Sequence, residues 1–208
     1  MNKTLIAAAL SLLAAAPTLA LASTNLVVNG SFEDTPQNNG SWAIYAGVNG
    51  WSVTTGSGIE VRNNVVGTAF DGVNFIELDS DTLHGNTRMQ QTVQTQIGQL
   101  YDLSFAYSAR PDLANAASNG IQVTWNNVLL TNLSAKGSGA HNWLEIGLQV
   151  VGTGHDVLAF RATGLNDSLG GSLDNVSLTA AVPEPGTYAL MAAGLLALGF
   201  IARRRQQG

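Results

Sequence analysis

The most informative stretch of this sequence is Tyr101-Asp-Leu-Ser-Phe-Ala-Tyr-Ser108. Large apolar residues occupy every second position, and small or polar residues stand between them. Side chains of a β-strand point alternately to opposite faces, so a period of two predicts a strand with one buried face. The predicted buried face consists of Tyr101, Leu103, Phe105 and Tyr107.

The same alternation recurs on both sides of this stretch. It returns at residues 121–125, 144–150 and 158–162, and shorter apolar runs occur at 51–53, 59–61, 73–78, 89–95 and 173–178. No segment between residues 24 and 180 has the period of an amphipathic helix. We therefore predict an all-β domain of roughly nine short strands, folded as an antiparallel jelly-roll-like β-sandwich. The polar, glycine-rich segment 35–50 is predicted to be a long surface loop.

The N-terminus has the features of a secretory signal. Lys3 precedes an apolar run from Leu5 to Ala16, and the small residues Ala20 and Ala22 stand before Ser23. A positive start, a short apolar helix and an Ala-x-Ala site characterise signal peptides. We predict that signal peptidase cleaves between Ala22 and Ser23. A helix of the folded protein is the alternative.

The C-terminal tail carries a second hydrophobic segment. Residues 188–202 are uncharged, and they lie between Val182-Pro183-Glu184-Pro185 and the cluster Arg203-Arg204-Arg205. As a helix this segment would reach roughly 22 Å, against about 30 Å of membrane hydrocarbon. The arginines resist translocation, and the prolines keep the preceding segment extended. We therefore predict a short transmembrane helix at 188–202 behind a protease-accessible junction.

This tail resembles the PEP-CTERM signal of Gram-negative bacteria, in which Pro-Glu-Pro precedes an apolar helix and a terminal arginine cluster. The resemblance implies that an exosortase, a membrane transpeptidase-like enzyme, cleaves at or near Pro183-Glu184-Pro185. It also implies transient residence in the inner membrane and export to the cell surface or the extracellular matrix. Bacteria with such signals often secrete the exopolysaccharide of a biofilm. The alternative is an ordinary tail anchor with a chance Pro-Glu-Pro.

The two ends divide the chain into a signal peptide at 1–22, a β-sandwich domain at 23–180 and a sorting tail at 181–208. The chain has 14 acidic residues and 9 Lys or Arg, and the terminal cluster takes three of these bases, so the domain itself is acidic. An acidic surface disfavours nucleic acid as a partner. The sequence contains no cysteine, which excludes disulfides and thiol chemistry.

Four spaced motifs in the domain resemble those of galactose-binding-like jelly rolls. They are Asn29-Gly-Ser-Phe-Glu33, Gly50-Trp51, Asp71-Gly72 and Leu173-Asp-Asn-Val176. The set is similar to the family of unknown function numbered 642, to choice-of-anchor surface domains and to some carbohydrate-binding modules. The resemblance implies a β-sandwich. It also implies a structural calcium ion, held by Glu33 of the opening motif and Asp174 of the closing motif.

The pattern around Asp174 agrees in part with such an ion. Asp174 shares strand parity with Val176 and Leu178, so it is predicted to point inward, where an unpaired carboxylate is costly. A calcium ion with oxygen ligands would remove that cost. The alternative is that Asp174 caps a turn and that Glu33 is solvated.

Three aromatic residues are candidates for contact with a glycan. Trp143 falls on the polar side of the predicted strand 144–150, and an exposed indole can stack on a sugar ring. Trp42 and Tyr45 lie in the predicted loop, where ligands commonly bind. The alternatives are that Trp143 covers an edge of the sandwich and that the loop pair plugs its end. Two further tryptophans, Trp51 and Trp125, are predicted core residues.

The acidic run Glu77-Leu-Asp-Ser-Asp81 is the best basis for an enzyme. Glycoside hydrolysis uses two carboxylates at a defined separation, and Glu77 is the candidate for one of them. The run is more typical of a solvated acidic loop. The histidines stand in separate loops without metal-binding spacing, which disfavours zinc. Surface ion pairs are predicted for Arg62, Arg110 and Arg161.

We therefore expect an exported, non-catalytic surface or matrix protein that contacts extracellular polysaccharide, with at most one structural calcium ion. Two alternatives stay open. One is a carbohydrate-active enzyme that uses acidic residues near Glu77. The other is a self-associating structural protein without a glycan ligand.

Overall fold

The computed structural model describes residues 24–182, 186, 191–196, 198–199 and 203. The predicted signal helix and the cleavage residues Ala20, Ala22 and Ser23 lie outside these residues. Five residues of the predicted sorting signal also lie outside them, namely Pro183, Glu184, Pro185, Arg204 and Arg205. The predictions for all of these residues stay predictions.

The described domain contains twelve strands and one short 3-10 helix. The strands are β1 (Ser41–Tyr45), β2 (Gly47–Val48), β3 (Trp51–Thr55), β4 (Ile59–Asn63), β5 (Asn74–Glu77), β6 (Arg88–Gln94), β7 (Leu100–Ser108), β8 (Ile121–Trp125), β9 (Val128–Leu133), β10 (Leu144–Val151), β11 (His155–Ala162) and β12 (Ser172–Ala180). The 3-10 helix (Ala116–Ser118) lies between β7 and β8. Sheet A has the order β1-β4-β5-β12-β7-β10, and sheet B has the order β2-β3-β6-β11-β8-β9. All neighbouring strands pair antiparallel. The predicted all-β antiparallel sandwich is confirmed.

The core lies between the two sheets, and alternating side chains of both sheets fill it. The four large side chains that alternate along β7 are at most 4% exposed. Phe105 of β7 packs edge-on against Phe160 of β11 with ring centroids 5.2 Å apart, so sheet A and sheet B meet there. Trp51 and Trp125 belong to the same core, as predicted. Each such side chain stabilises the fold by about 1.5–3 kcal/mol through burial.

The sequence predicts no strand at β1, β2 or β9, and all three are edge strands of their sheets. An edge strand has a neighbour on one side only, so its sequence does not need the regular alternation of a buried strand. In β9, for example, Val128 is 66% and Leu129 is 51% exposed. The prediction of one long loop at 35–50 is therefore wrong, because this segment contains β1 and β2.

The predicted orientation of Asp174 is wrong, because β12 contains a β-bulge. Asn175 has a positive φ of 48°, and the pairing register with β7 shifts between Asp174 and Ser177. Because the bulge adds one residue, Leu173 and Val176 both face the core. Asp174 is fully buried as predicted, but it lies on the opposite face from Val176 and Leu178.

The described part of the tail follows the last strand, which ends at Ala180. Val182 is 62% exposed, and the described residues after it are helical and exposed. Within the described residues, no helix combines the length and the apolarity that crossing a membrane requires. Several residues of the predicted transmembrane segment 188–202 are not among those described, so that assignment stays a prediction.

Candidate functional site

The outer face of sheet A, which is turned away from the core, carries several of the buried polar residues of this protein. Cross-strand partners share a face of a sheet. One row across this face joins Trp42 of β1 with Arg62 of β4 and Phe75 of β5. The next row joins four polar residues, namely Glu60, Glu77, Ser172 and Ser108.

Glu77 is at the centre of a buried network of charges. Its carboxylate lies 3.3 Å from Nη2 of Arg62 and 3.1 Å from Nη1 of Arg110, and it is 0% exposed. Arg62 also donates from Nε to Glu60 at 2.6 Å, and Arg110 donates from Nε to Asp112 at 2.8 Å. Each guanidinium is therefore shared between two carboxylates, which fixes its position.

Burial has the largest effect on the pKa of Glu77. It raises the pKa of this carboxyl to about 8, although the charges of Arg62 and Arg110 and the N–H of Gly170 act against it. Burial likewise raises the pKa of Glu60, and the nearby Arg62 opposes the change. A protonated acid is the form that a poorly solvated carboxyl prefers.

The prediction of a solvated acidic loop at 77–81 is wrong for its first part, because Glu77 and Asp79 are both 0% exposed. Asp79 accepts a hydrogen bond from the backbone N–H of Asp167 at 3.0 Å. Burial raises the pKa of Asp79 to about 6. The loop 164–171 covers both acids, and Gly170 lies so close that an added Cβ would approach Glu77 and Asp79 at 3.1 Å.

A cavity of about 210 Å³ opens beside this network at the β1 edge of sheet A. Trp42 forms one wall and is 52% exposed. The polar lining includes Glu60, Arg62, Arg110 and Ser80. The cavity therefore combines one accessible indole with hydrogen-bonding groups that the surrounding ion pairs hold in place.

A cluster of aromatic rings lies further across the same face. The His141 ring is 4.8 Å from Phe75 and 4.6 Å from Trp143, and Trp143 also meets Phe70 edge-on at 6.2 Å. The indole N–H of Trp143 donates to the carbonyl of Thr68 at 3.1 Å, which fixes the ring. Burial lowers the pKa of His141, so its ring is neutral at pH 7.

The three predicted glycan contacts do not lie together. Trp42 and Trp143 are both on the outer face of sheet A, but Trp42 is on the edge strand β1, whereas the Trp143 ring packs near Phe75 of β5. Tyr45 packs against the core from β1, and its hydroxyl donates to Gln37 at 3.0 Å. Alternation along β1 accounts for this difference, because Trp42 and Tyr45 are three positions apart.

The predicted calcium ligands, Asp174 and Glu33, accept hydrogen bonds from the backbone of the segment 70–74. Asp174 accepts hydrogen bonds from the backbone N–H groups of Phe70, Asp71 and Asn175 at 2.7–2.9 Å. Glu33 accepts two more from the backbone of Val73 and Asn74. N–H donors favour a carboxylate but repel a cation, so this set of groups does not fit calcium.

Calcium binding therefore stays a prediction of the sequence resemblance alone. Within the described part of the chain, no three His, Cys, Asp or Glu side chains converge as a metal site requires.

Sequence reasoning missed the roles of Arg62 and Arg110, for which it predicts surface ion pairs. Both are buried and share Glu77. One signal was available for Arg62, because it shares a strand face with Glu60 in the run Ile59-Glu-Val-Arg-Asn63. A charge at such a position needs a partner on the same face. No local signal pairs Arg110 with Glu77, since 33 positions separate them.

The tail matches a known sorting signal. The sequence profile of the PEP-CTERM protein-sorting motif covers residues 181–205. This confirms the predicted resemblance, and the motif indicates an exported, cell-surface protein. Of the matched residues, Val182 and Arg203 are described and exposed.

The domain has curated relatives of much greater length. The chain is 30% identical over 153 residues to the multifunctional-autoprocessing repeats-in-toxin of Vibrio vulnificus, and 30% identical over 156 residues to that of Vibrio cholerae. The matches cover 73% and 74% of this chain. The chain spans 3% of the length of each toxin.

Solved structures share the fold. The Stig cyclase Fisc of Fischerella sp. TAU is 16% identical, with a TM-score of 0.52 over 77% of this chain and 98% of that one. An arabinose-bound α-L-arabinofuranosidase is 12% identical, with a TM-score of 0.51 over 74% of this chain and 26% of that one. A family 35 carbohydrate-binding module of Clostridium thermocellum is 17% identical, with a TM-score of 0.45 over 68% and 99%. At such low identity the likeness concerns the fold alone.

Proposed function

We propose that this exported domain binds extracellular polysaccharide without cleaving it, and that Trp42 is its main sugar contact. The observation that carries the proposal is the pairing of an exposed indole with a preorganised polar cavity. Trp42 is 52% exposed beside a cavity of about 210 Å³. A single exposed apolar side chain is unremarkable by itself, so the neighbouring groups are essential to the argument.

The polar groups beside Trp42 suit a sugar ring, which has an apolar face and carries hydroxyl groups around its edge. The indole offers a flat apolar surface, as aromatic residues do at many binding sites. Arg62 and Arg110 supply N–H donors, and Glu60 supplies acceptors. Ion pairs fix the side chains of Arg62, Arg110 and Glu60 in place without a ligand. Because these side chains are already ordered, binding a ligand costs less conformational entropy.

A glycan array with the domain 24–180 tests this proposal. We expect binding to at least one polysaccharide and a loss of about tenfold in affinity for Trp42→Ala. Leu129→Ala is the matched control, because Leu129 is similarly exposed but lies on the far edge of sheet B. An array without any signal, or equal binding by both variants, would contradict the proposal.

The burial of Glu77 supports a non-catalytic role. A general acid must touch its substrate, and Glu77 is covered completely and engaged by two guanidinium groups. We expect no release of reducing ends from any polysaccharide that binds. Release that Glu77→Gln abolishes would support the enzyme instead.

Self-association is a second candidate function, because the edge strand β9 exposes apolar residues. Val128 and Leu129 are both more than half exposed there. A self-associating protein would form concentration-dependent oligomers in light scattering and would bind no glycan. The Leu129→Ala variant would then reduce assembly.

We also propose that an exosortase processes the tail. The PEP-CTERM match at 181–205 supports this step. Replacing Pro183, Glu184 and Pro185 with alanine is expected to leave the uncut chain in the inner membrane. Mass spectrometry of the protein recovered from the cell surface reports both cleavage points, and unchanged release of the variant would refute processing at this site.

A further inference from the structure

Two further cavities continue from the Trp42 cavity across the outer face of sheet A. The second has a volume of about 520 Å³ and is lined by the loops around Val66 and His141. The third has a volume of about 230 Å³ and is lined by Trp143 and the residues before it. Val66 borders both the first and the second cavity, and Ala140 borders both the second and the third.

The segment Ala109–Asp112 runs along all three cavities. Ala109 lines the third cavity, Arg110 lines the first, and Pro111 and Asp112 line the second. Shared walls and a shared border make the three cavities one groove, which we call the sheet A groove.

The groove is longer than one sugar. The first cavity is lined by Trp42 of β1 and the third by Leu144 of β10, and these strands are the two edges of sheet A. Five inter-strand spacings separate the edges, which corresponds to about 24 Å. A monosaccharide would fill one cavity only, whereas an extended chain can occupy all three.

Basic and acidic side chains are equal in number along the groove. Arg62, Arg110 and Lys136 line it, and Glu60, Asp112 and the buried Glu77 lie against the two arginines. Between residues 24 and 182 the chain has thirteen Asp or Glu and five Lys or Arg, so its overall field repels anions. An uncharged chain of hydroxyl groups suits this groove better than a polyanion.

We infer that the sheet A groove binds an extended, uncharged polysaccharide along several consecutive sugars, with Trp42 in its first cavity and Trp143 in its third. This inference rests on the proposed function and adds the class of ligand and its orientation across the strands.

Affinity gel electrophoresis of the domain tests the ligand class. The probes are β-1,4-galactan, β-1,4-mannan, arabinan and mixed-linkage β-glucan as neutral polymers, with polygalacturonate and alginate as polyanions. We expect at least one neutral polymer to retard the domain and neither polyanion to do so, and added salt to leave the retardation unchanged. Retardation by the polyanions alone would overturn the inference.

Calorimetry with oligosaccharides of the retarding polymer tests the extended site. Affinity is expected to rise about tenfold or more from the monosaccharide to the hexasaccharide. Trp143→Ala is expected to weaken the hexasaccharide about tenfold and to leave the monosaccharide unchanged. Trp42→Ala is expected to weaken both.

Trp143 also packs on Phe75 and His141, so Trp143→Ala could weaken binding by disturbing the fold. A second variant avoids this ambiguity. Ala140→Gln places a longer, uncharged side chain at the exposed junction of two cavities and is expected to weaken only the long oligosaccharides. Affinity that does not depend on chain length, with Trp42 still required, would overturn this inference and leave the proposed function intact. No retardation by any polymer would contradict both.

Discussion

Arg110 shows at the residue scale how a buried charge is held in this protein. It is the link between Glu77 inside the fold and Asp112 at the surface. Burial opposes its charge, but Glu77 and Asp112 together raise its pKa above the ordinary value. Removing one partner from a buried ion pair leaves the other charge without compensation, which is more costly than the pair is favourable.

We predict that Arg110→Met lowers the free energy of unfolding by about 3–5 kcal/mol at about pH 9, where Glu77 is ionised. The loss is expected to shrink at about pH 6, because a protonated Glu77 needs no counter-charge. Urea denaturation of the wild type and the variant at the two pH values measures this loss in the free energy of unfolding. Arg88→Met is the control, since Arg88 donates only to the neutral oxygens of Thr54, Gln90 and Asn127. Equal losses for the two variants would be inconsistent with the network.

Asp174 raises the question of calcium at the same scale. Three backbone N–H groups already satisfy its carboxylate, and they present positive charge where an ion would sit. We predict equal melting temperatures with calcium and with EDTA. A clearly higher melting temperature with calcium would show that the ion implied by the sequence resemblance does bind.

At the scale of elements, the strands that sequence reasoning missed are edge strands, and of the four edge strands it identified β10 alone. A strand between two others buries one face and alternates clearly, as β7 and β11 do. The edge strands β1, β2 and β9 lack this constraint. The consequence matters for function, because Trp42 lies on β1 rather than in the predicted surface loop, and the pairing of β1 with β4 sets its orientation.

Asp156 joins three connections between strands. Its carboxylate accepts hydrogen bonds from Asn126 of the β8–β9 turn, from Thr153 of the β10–β11 turn and from Thr95 after β6. Burial opposes ionisation of Asp156, but these hydrogen bonds outweigh it and lower the pKa to about 2.

We predict that Asp156→Ala lowers the free energy of unfolding by about 3 kcal/mol at pH 7, because several donors in three connections lose a charged acceptor. Asp102→Ala is the control, since Asp102 is exposed and accepts one bond from Gln149, and it is expected to cost less than about 1 kcal/mol. A cost for Asp156→Ala no greater than that of the control would show that the three turns are held by other contacts.

At the scale of the whole molecule, buried acids make stability depend on pH. Burial raises the pKa of Glu77 to about 8, of Asp174 to about 7 and of Asp79 to about 6. In the unfolded chain these carboxyls lose their protons near pH 4. Folding above that pH therefore takes up protons, and the free energy of unfolding falls as pH rises from about 4 to 8.

We predict a decrease on the order of 2–5 kcal/mol across this range, measured by urea denaturation at a series of pH values. Glu77→Gln is expected to flatten the part between about pH 6 and 8. Below about pH 4 the sign reverses, because Asp156 must then take up a proton that its hydrogen bonds disfavour. Stability that rises steadily from pH 4 to 8 would contradict the burial of these acids.

The class of fold and the destination of the chain follow from the sequence alone. Both depend on local patterns: the alternation along β7 marks a half-buried strand, and Pro-Glu-Pro with the following apolar and basic segments marks the sorting tail. Only the tertiary structure placed Arg110 against Glu77, turned Asp174 away from the core through a bulge, and put Trp42 and Trp143 on one face. Contacts of this kind join residues far apart in the chain, and a single inserted residue reverses the faces of a strand, so no local pattern encodes them.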